Sequence, residues 1–268
     1  MSLTRMEGHA CKTAGGLAEH TFVFAPENGR YFDCWGGHDG SRIRLICTNS
    51  GNYAAADCYR YPMSTPMGML PDTAHIGMYA VDGVCHQSAN CFLYSSHAML
   101  NNDVSGYWLS CLSYGPYGKK FNWWQQNVYL PCIRAIPAVE PVAAATHDSP
   151  EWTLMQRIRA IHGAARDPYE ALLEEGAAVT KYFAPEVDTD RIRGPQSDYL
   201  QELDAIIASG LVGEPLADRI NDLGRQFQRN LAVCLGADQY ERLNGVPAEV
   251  QVDLIEPDLR RAAGQRNQ

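Results

Sequence analysis

The sequence predicts an α+β fold in which a strand-rich first half precedes an α-helical second half. Three observations carry that expectation. Residues 19–37, EHTFVFAPENGRYFDCWGG, hold two alternating segments around Pro-Glu-Asn-Gly, which is hairpin chemistry. Residues 85–100, CHQSANCFLYSSHAML, give the one clear helical pattern of that half. Beyond residues 136–150, IPAVEPVAAATHDSP, a Pro/Ala-rich stretch that reads as a linker, apolar residues recur at helical spacing. The expected division is one α+β domain over residues 1–140 and one α-helical domain over 141–268.

Each element has a local reason. His20-Thr21-Phe22-Val23-Phe24 is the first strand of the hairpin, and RIRLIC (42–47) and HIGMYAV (75–81) are further strands. Residues 107–129 carry three tryptophans and five other Tyr or Phe, and are expected as loops or strands that wall the core or line a cleft. EWTLMQRIRAIHGA (151–164) follows a Ser149-Pro150 start, and DPYEALLEEGAAVTKYF (167–183) has Asp167 as cap with Pro168 in the first turn. In residues 213–235, Leu216, Ile220, Leu223, Phe227 and Leu231 form one apolar stripe, expected to face the core.

Composition bounds the function. Of 268 residues, 46% are hydrophobic and 20% charged, which is globular composition with room for one large core or two modest ones. A net charge of −9 without any basic block speaks against nucleic acid or an anionic membrane surface as partner. No run approaches the roughly 20 apolar residues of a bilayer span. The opening MSLTRMEGHACKTAGG lacks the apolar core of a secretory signal, so the expected location is cytoplasmic, or exported without a Sec signal. The acidic residues of the second half are scattered along its helices, as on solvated faces or a surface that docks a protein partner.

Nine cysteines, eight of them in the first half, form no Cys-x-x-Cys pair. An odd number without a signal peptide argues against a disulfide framework, and most of these thiols are expected as small core residues. One stands apart. In VDGVCHQ, Cys85 follows a turn and opens a helix, where unpaired N–H groups and the helix dipole stabilise a thiolate and can cradle an oxyanion. Asp82 or Gly83 would cap this helix, and Gly83 would let the backbone approach a substrate closely.

A thiolate nucleophile needs a base. If Ala25 pairs with Arg30 across a four-residue loop, Phe22 faces Asp33 and Asp33 lies diagonal to His20 on one face of the sheet. A two-residue Asn28-Gly29 turn would move Asp33 out of reach of His20. The first register yields Cys85 as nucleophile, His20 as general base and Asp33 as its orienter. His75, on a later strand, and His38, in WGGHDG, are the second and third candidates for the base. His86 would point around the helix to cap or pack, His97 is structural, and Gln87 and Asn90 are available as polar helpers.

A His-bearing strand in HTFVFAPENGRYFDCWG followed by a Cys-headed helix in GVCHQSANCFLY resembles the circularly permuted papain-like thiol hydrolases, relatives of the NlpC-type peptidoglycan amidases. The resemblance spans roughly residues 15–100 and implies a papain-like first domain of antiparallel sheet plus nucleophile helix. It implies cleavage or transfer at an amide, ester or thioester through an acyl-enzyme, without cofactor. Its substrates would be a peptide, a peptidoglycan peptide or a protein side-chain amide. Two other classes stay open at this point: a metal-binding protein using Cys85 and His86 with His75 or His38, and a non-catalytic protein docking through its acidic helices.

Overall fold

The first-half strands gather around one hairpin. The structure is a computed structural model and describes residues 3–13, 17–34, 36, 45–47, 58–60, 67–69, 74–100, 103–131 and 149–256. Strands β1 (Thr4–Arg5), β2 (Glu7–Thr13), β3 (Ala18–Ala25), β4 (Arg30–Phe32), β5 (Leu45–Cys47), β6 (Cys58–Arg60), β7 (Met67–Gly68) and β8 (Ala74–Gly77) follow in order. The principal sheet runs β4-β3-β2-β6, with β1 paired to β7 and β5 to β8.

The β3–β4 turn takes the longer of the two registers. Ala25 pairs with Arg30 and Val23 with Phe32, leaving Pro26, Glu27, Asn28 and Gly29 as the loop. Gly29 adopts φ +67°, open to glycine at no steric cost, and the Asn28 side chain accepts from the Arg30 N–H at 3.1 Å. Side chains alternate from there. Val23, Ala25 and Phe32 enter the hydrophobic core, while Phe24 stacks on Tyr31 at 4.5 Å on the opposite face.

Helix α1 (Cys85–Leu93) packs on the core side of β3, with Phe92 against Phe32 at 5.0 Å. All nine of its residues are buried, so it is a central helix and not a surface one. A 3-10 turn over Tyr94–Ser96 follows and ends where His97 turns left-handed, φ +55°. His97 is the C-cap of this turn, so the helical pattern expected over residues 85–100 ends at Ser96.

Residues 107–129 correct the sequence reading. They form helix α2 (Tyr107–Tyr114), then α3 (Phe121–Trp124) continued by a π-helical turn over Gln125–Tyr129. Every residue of α2 is buried, so no polar face marks its period. A segment apolar on all sides carries no helical stripe to read. HIGMYAV also stops short: β8 ends at Gly77, because Ala80 turns to φ +57° and the Asp82 carboxylate accepts from the Met78 N–H at 2.8 Å.

The second half supplies α4 (Pro150–Ala164), α5 (Pro168–Phe183), α6 (Thr189–Ala208), α7 (Gly213–Leu235) and α8 (Ala237–Asn244). Ser149 and Asp167 cap α4 and α5 as the sequence indicates, accepting from Trp152 N and Tyr169 N. The five stripe residues of α7 are all buried. Helix α2 is the shared layer: it contacts α1 on one side and α5, α6 and α8 on the other. Tyr114 and Tyr199 join their hydroxyls at 2.8 Å across this boundary, and one hydrophobic cluster runs from Met6 to Ile255. The expected linker lies outside the described residues except for Ser149 and Pro150. Among the described residues no helix is long and apolar enough to cross a membrane.

Candidate active site

The head of α1 is built by a buried glutamine. Neither Asp82 nor Gly83 caps the helix; Val84 is the capping position, and its N–H donates to the Gln87 side-chain oxygen at 3.0 Å. The Gln87 amide nitrogen donates to Ser110 Oγ at 3.2 Å and to the Gly115 carbonyl at 3.0 Å. Its polar atoms are thus spent on holding the helix entrance. Asp82 instead ties the preceding turn and pairs with Lys120 at 3.2 Å. Gly83 serves this packing too, because a Cβ there would meet Gln87 Cβ at 2.8 Å. Close approach to a substrate is not what demands that glycine.

Helix entry in this form leaves the N–H groups of Cys85, His86 and Gln87 ahead of the first helical bond, Ser88 N to Val84 O. Cys85 therefore sits at the positive end of the helix. His20 on β3 interacts with Cys85 closely enough to shift its ionisation, and His20 Nε2 faces Asp33 Oδ2 at 3.6 Å. Cys85, His20 and Asp33 are 6%, 2% and 2% exposed. The β3–β4 register brings Asp33 to His20, as the four-residue loop required.

The electrostatics favour charge separation. Burial by itself would push the His20 imidazole down, but its interactions with the Asp33 carboxylate and the Cys85 sulfur, and the charges of both, raise it to about 9. Burial by itself would push the Cys85 thiol up; the hydrogen bond and charge of His20, with the Thr21 N–H, outweigh it and hold the thiol below its ordinary value. Both shifts act in the direction of a thiolate–imidazolium pair.

No family model, no curated protein and no solved structure matches this chain. The chemistry of the site therefore rests on its own geometry.

His86 lies beside the pair but plays another part. Its Nδ1 meets Ser110 Oγ at 2.8 Å and its ring stands edge-on to Tyr107 at 5.6 Å. Burial first, and the charge of His20 next, push it down to about 3, so it stays neutral where His20 is charged. His38 lies outside the described residues; His75 is on β8, opposite Ile46, but its side chain lies outside them. Among the described residues no group of three His, Cys, Asp or Glu is placed to hold a metal ion.

Asn90, a candidate helper, works inside the core. It donates to Tyr107 Oη at 3.2 Å and to the Pro116 carbonyl at 2.9 Å, and accepts from the Leu100 N–H at 2.8 Å. Asn90→Ala strands two buried backbone groups and is expected to cost about 3 kcal/mol, read as a lower denaturation midpoint with the m-value unchanged.

Two participants were not singled out from the sequence. The Tyr79 hydroxyl accepts from the Cys85 N–H, and burial and then the Cys85 and Cys34 charges push its pKa well above the ordinary value. Glu19 ties the start of β3 to the loop before α2, its carboxylate accepting from the Ser105 N–H at 2.9 Å. Its carbonyl lies 4.0 Å from Cys85 Sγ. Neither residue carries a motif; only the folded neighbourhood gives it a role.

Cys85 and His20 open onto a cleft of about 750 Å³, a volume that includes its mouth. The first half contributes Ala18, Tyr79 and His86 to its wall, and the second half contributes Tyr240, Val252 and Leu254.

Proposed function

We propose that this protein is a cysteine hydrolase or acyltransferase that acts on an amide bond through an acyl-enzyme at Cys85. The single observation that carries the reading is the Cys85–His20–Asp33 line, buried at a helix head, with the thiol lowered and the imidazole raised. Cys85 Sγ would attack the substrate carbonyl carbon. The oxyanion so formed would be met by the helix N-terminus, with the Tyr79 hydroxyl beside it. His20 would then give its proton to the leaving nitrogen, and the C–N bond would break to leave a thioester. Water or an acceptor amine, deprotonated by His20, would release the acyl group and restore the thiolate. Asp33 would orient the ring and support its charge.

The chain order of a His-bearing strand before a Cys-headed helix supports a circularly permuted papain-like architecture for the first half. A peptide chain, a peptidoglycan peptide or a protein side-chain amide is the substrate class that goes with it. A p-nitrophenyl ester tests the reading without knowledge of the natural substrate. The expected result is a burst of nitrophenol and a stoichiometric acyl adduct mapped to Cys85. Slow release with no adduct, or adducts spread over several thiols, would overturn it.

A further inference from the structure

We propose that residues 250–256 form a strap that closes the Cys85 cleft, and that the seam between Glu256 and Thr13 must part before substrate enters. The proposal rests on the reading of Cys85 as the nucleophile and concerns the control of that same site.

The strap has two unequal attachments. On the helical side it is clamped like a paired strand. Val252 donates to the Gln228 side-chain oxygen at 2.9 Å and accepts from its nitrogen at 2.6 Å. Ile255 makes the same two bonds with Asn221, both at 2.9 Å, and is itself fully buried. Asn221 and Gln228 stand seven residues apart on α7, about two turns, so one helix face presents both amides. Asp253 pairs with Arg225 of the same helix.

On the sheet side the described contact is far weaker. Thr13 Oγ1 donates to Glu256 Oε2 at 3.4 Å, near the limit of a hydrogen bond, between two partly buried groups. Thr13 is the last residue of β2 and pairs with Ala18 of β3, and both line the cleft together with Val252, Leu254 and Glu256 of the strap. With the seam closed, Cys85 is 6% and His20 2% exposed. An acyl carbon must come within bonding distance of Sγ, so one wall has to give. The clamped side resists and the Thr13–Glu256 seam yields.

The test uses the full chain carrying Thr13→Cys and Glu256→Cys, oxidised to a cross-link verified by mass. Alkylation of Cys85 by a bulky iodoacetamide derivative, followed by peptide mapping, is expected to be at least tenfold slower than in the same protein after reduction. Asn221→Ala with Gln228→Ala, which frees the clamped side, is expected to speed it at least threefold. If that variant does not fold, the cross-linked protein alone decides. Equal rates in the oxidised and reduced forms, within twofold, would overturn the strap. Failure of the nucleophile reading looks different: reduced Cys85 would then react no faster than the other thiols, although the cross-link would still slow it.

Discussion

Cys85→Ala is expected to abolish the ester burst and to lower acyl transfer by about 10³-fold or more. Loss of the sulfur removes the atom that would form the thioester. Cys91 and Cys111 differ in kind: they are buried within α1 and α2, and burial drives the Cys111 thiol well above its ordinary value. The fold is expected to survive, because Cys85 and Ala differ little in volume and the helix entrance is held by Gln87. Ester turnover within tenfold of the parent, by a variant with an unchanged unfolding midpoint, would show that the acyl group never resided on Cys85.

His20→Gln has the second-largest expected effect. The thiol is lowered chiefly because the interaction with His20 and its charge, helped by Thr21, outweigh burial. Without them burial prevails, and the thiol moves to its ordinary value of about 8.5 or beyond. At pH 7 the thiolate fraction is then a few per cent or less, so Cys85 alkylation is expected to slow by about tenfold or more and its pH midpoint to climb. In the parent, amide turnover should fall as pH rises through about 9 and His20 loses the proton that it gives the leaving group.

The same shifts set a stability window. His20 is raised, so its contribution is complete below an unfolded value of about 6.5 and is lost as pH rises through about 9. Cys85 is lowered, so its contribution is present above its unfolded value and is lost as pH falls through the folded one. An unchanged alkylation midpoint in His20→Gln would remove the imidazole from the mechanism.

How much of this was legible depends on the length scale of each signal. The β3–β4 turn was readable because Gly29 accepts a left-handed backbone and Asn28 bonds its own loop, and both effects act within a few residues. Which of the two registers that turn takes was not legible, and the placing of Asp33 beside His20 waited on the observed pairing of Ala25 with Arg30. The starts of α4 and α5 were readable as the turn was, through Ser149 and Asp167. Helix α2 was not, since it is buried on every side. Helix α6 was not singled out within the expected α-helical half; it carries Pro195 inside it, yet Ile192, Tyr199, Leu200, Leu203 and Ile206 bury one continuous stripe across that position. Tertiary burial outweighed the local cost there.

The sequence by itself determined an α+β chain, a hairpin and a cysteine at a helix entrance, because turns, caps and apolar stripes are short-range chemistry. Only the tertiary structure decided the register of that hairpin, that His20 and Cys85, 65 positions apart, stand together, that Gln87 and not Asp82 secures the helix head, and that Val252, Leu254 and Glu256 line the cleft. Those outcomes come from burial and hydrogen bonding between distant segments, whose partners no local spacing specifies.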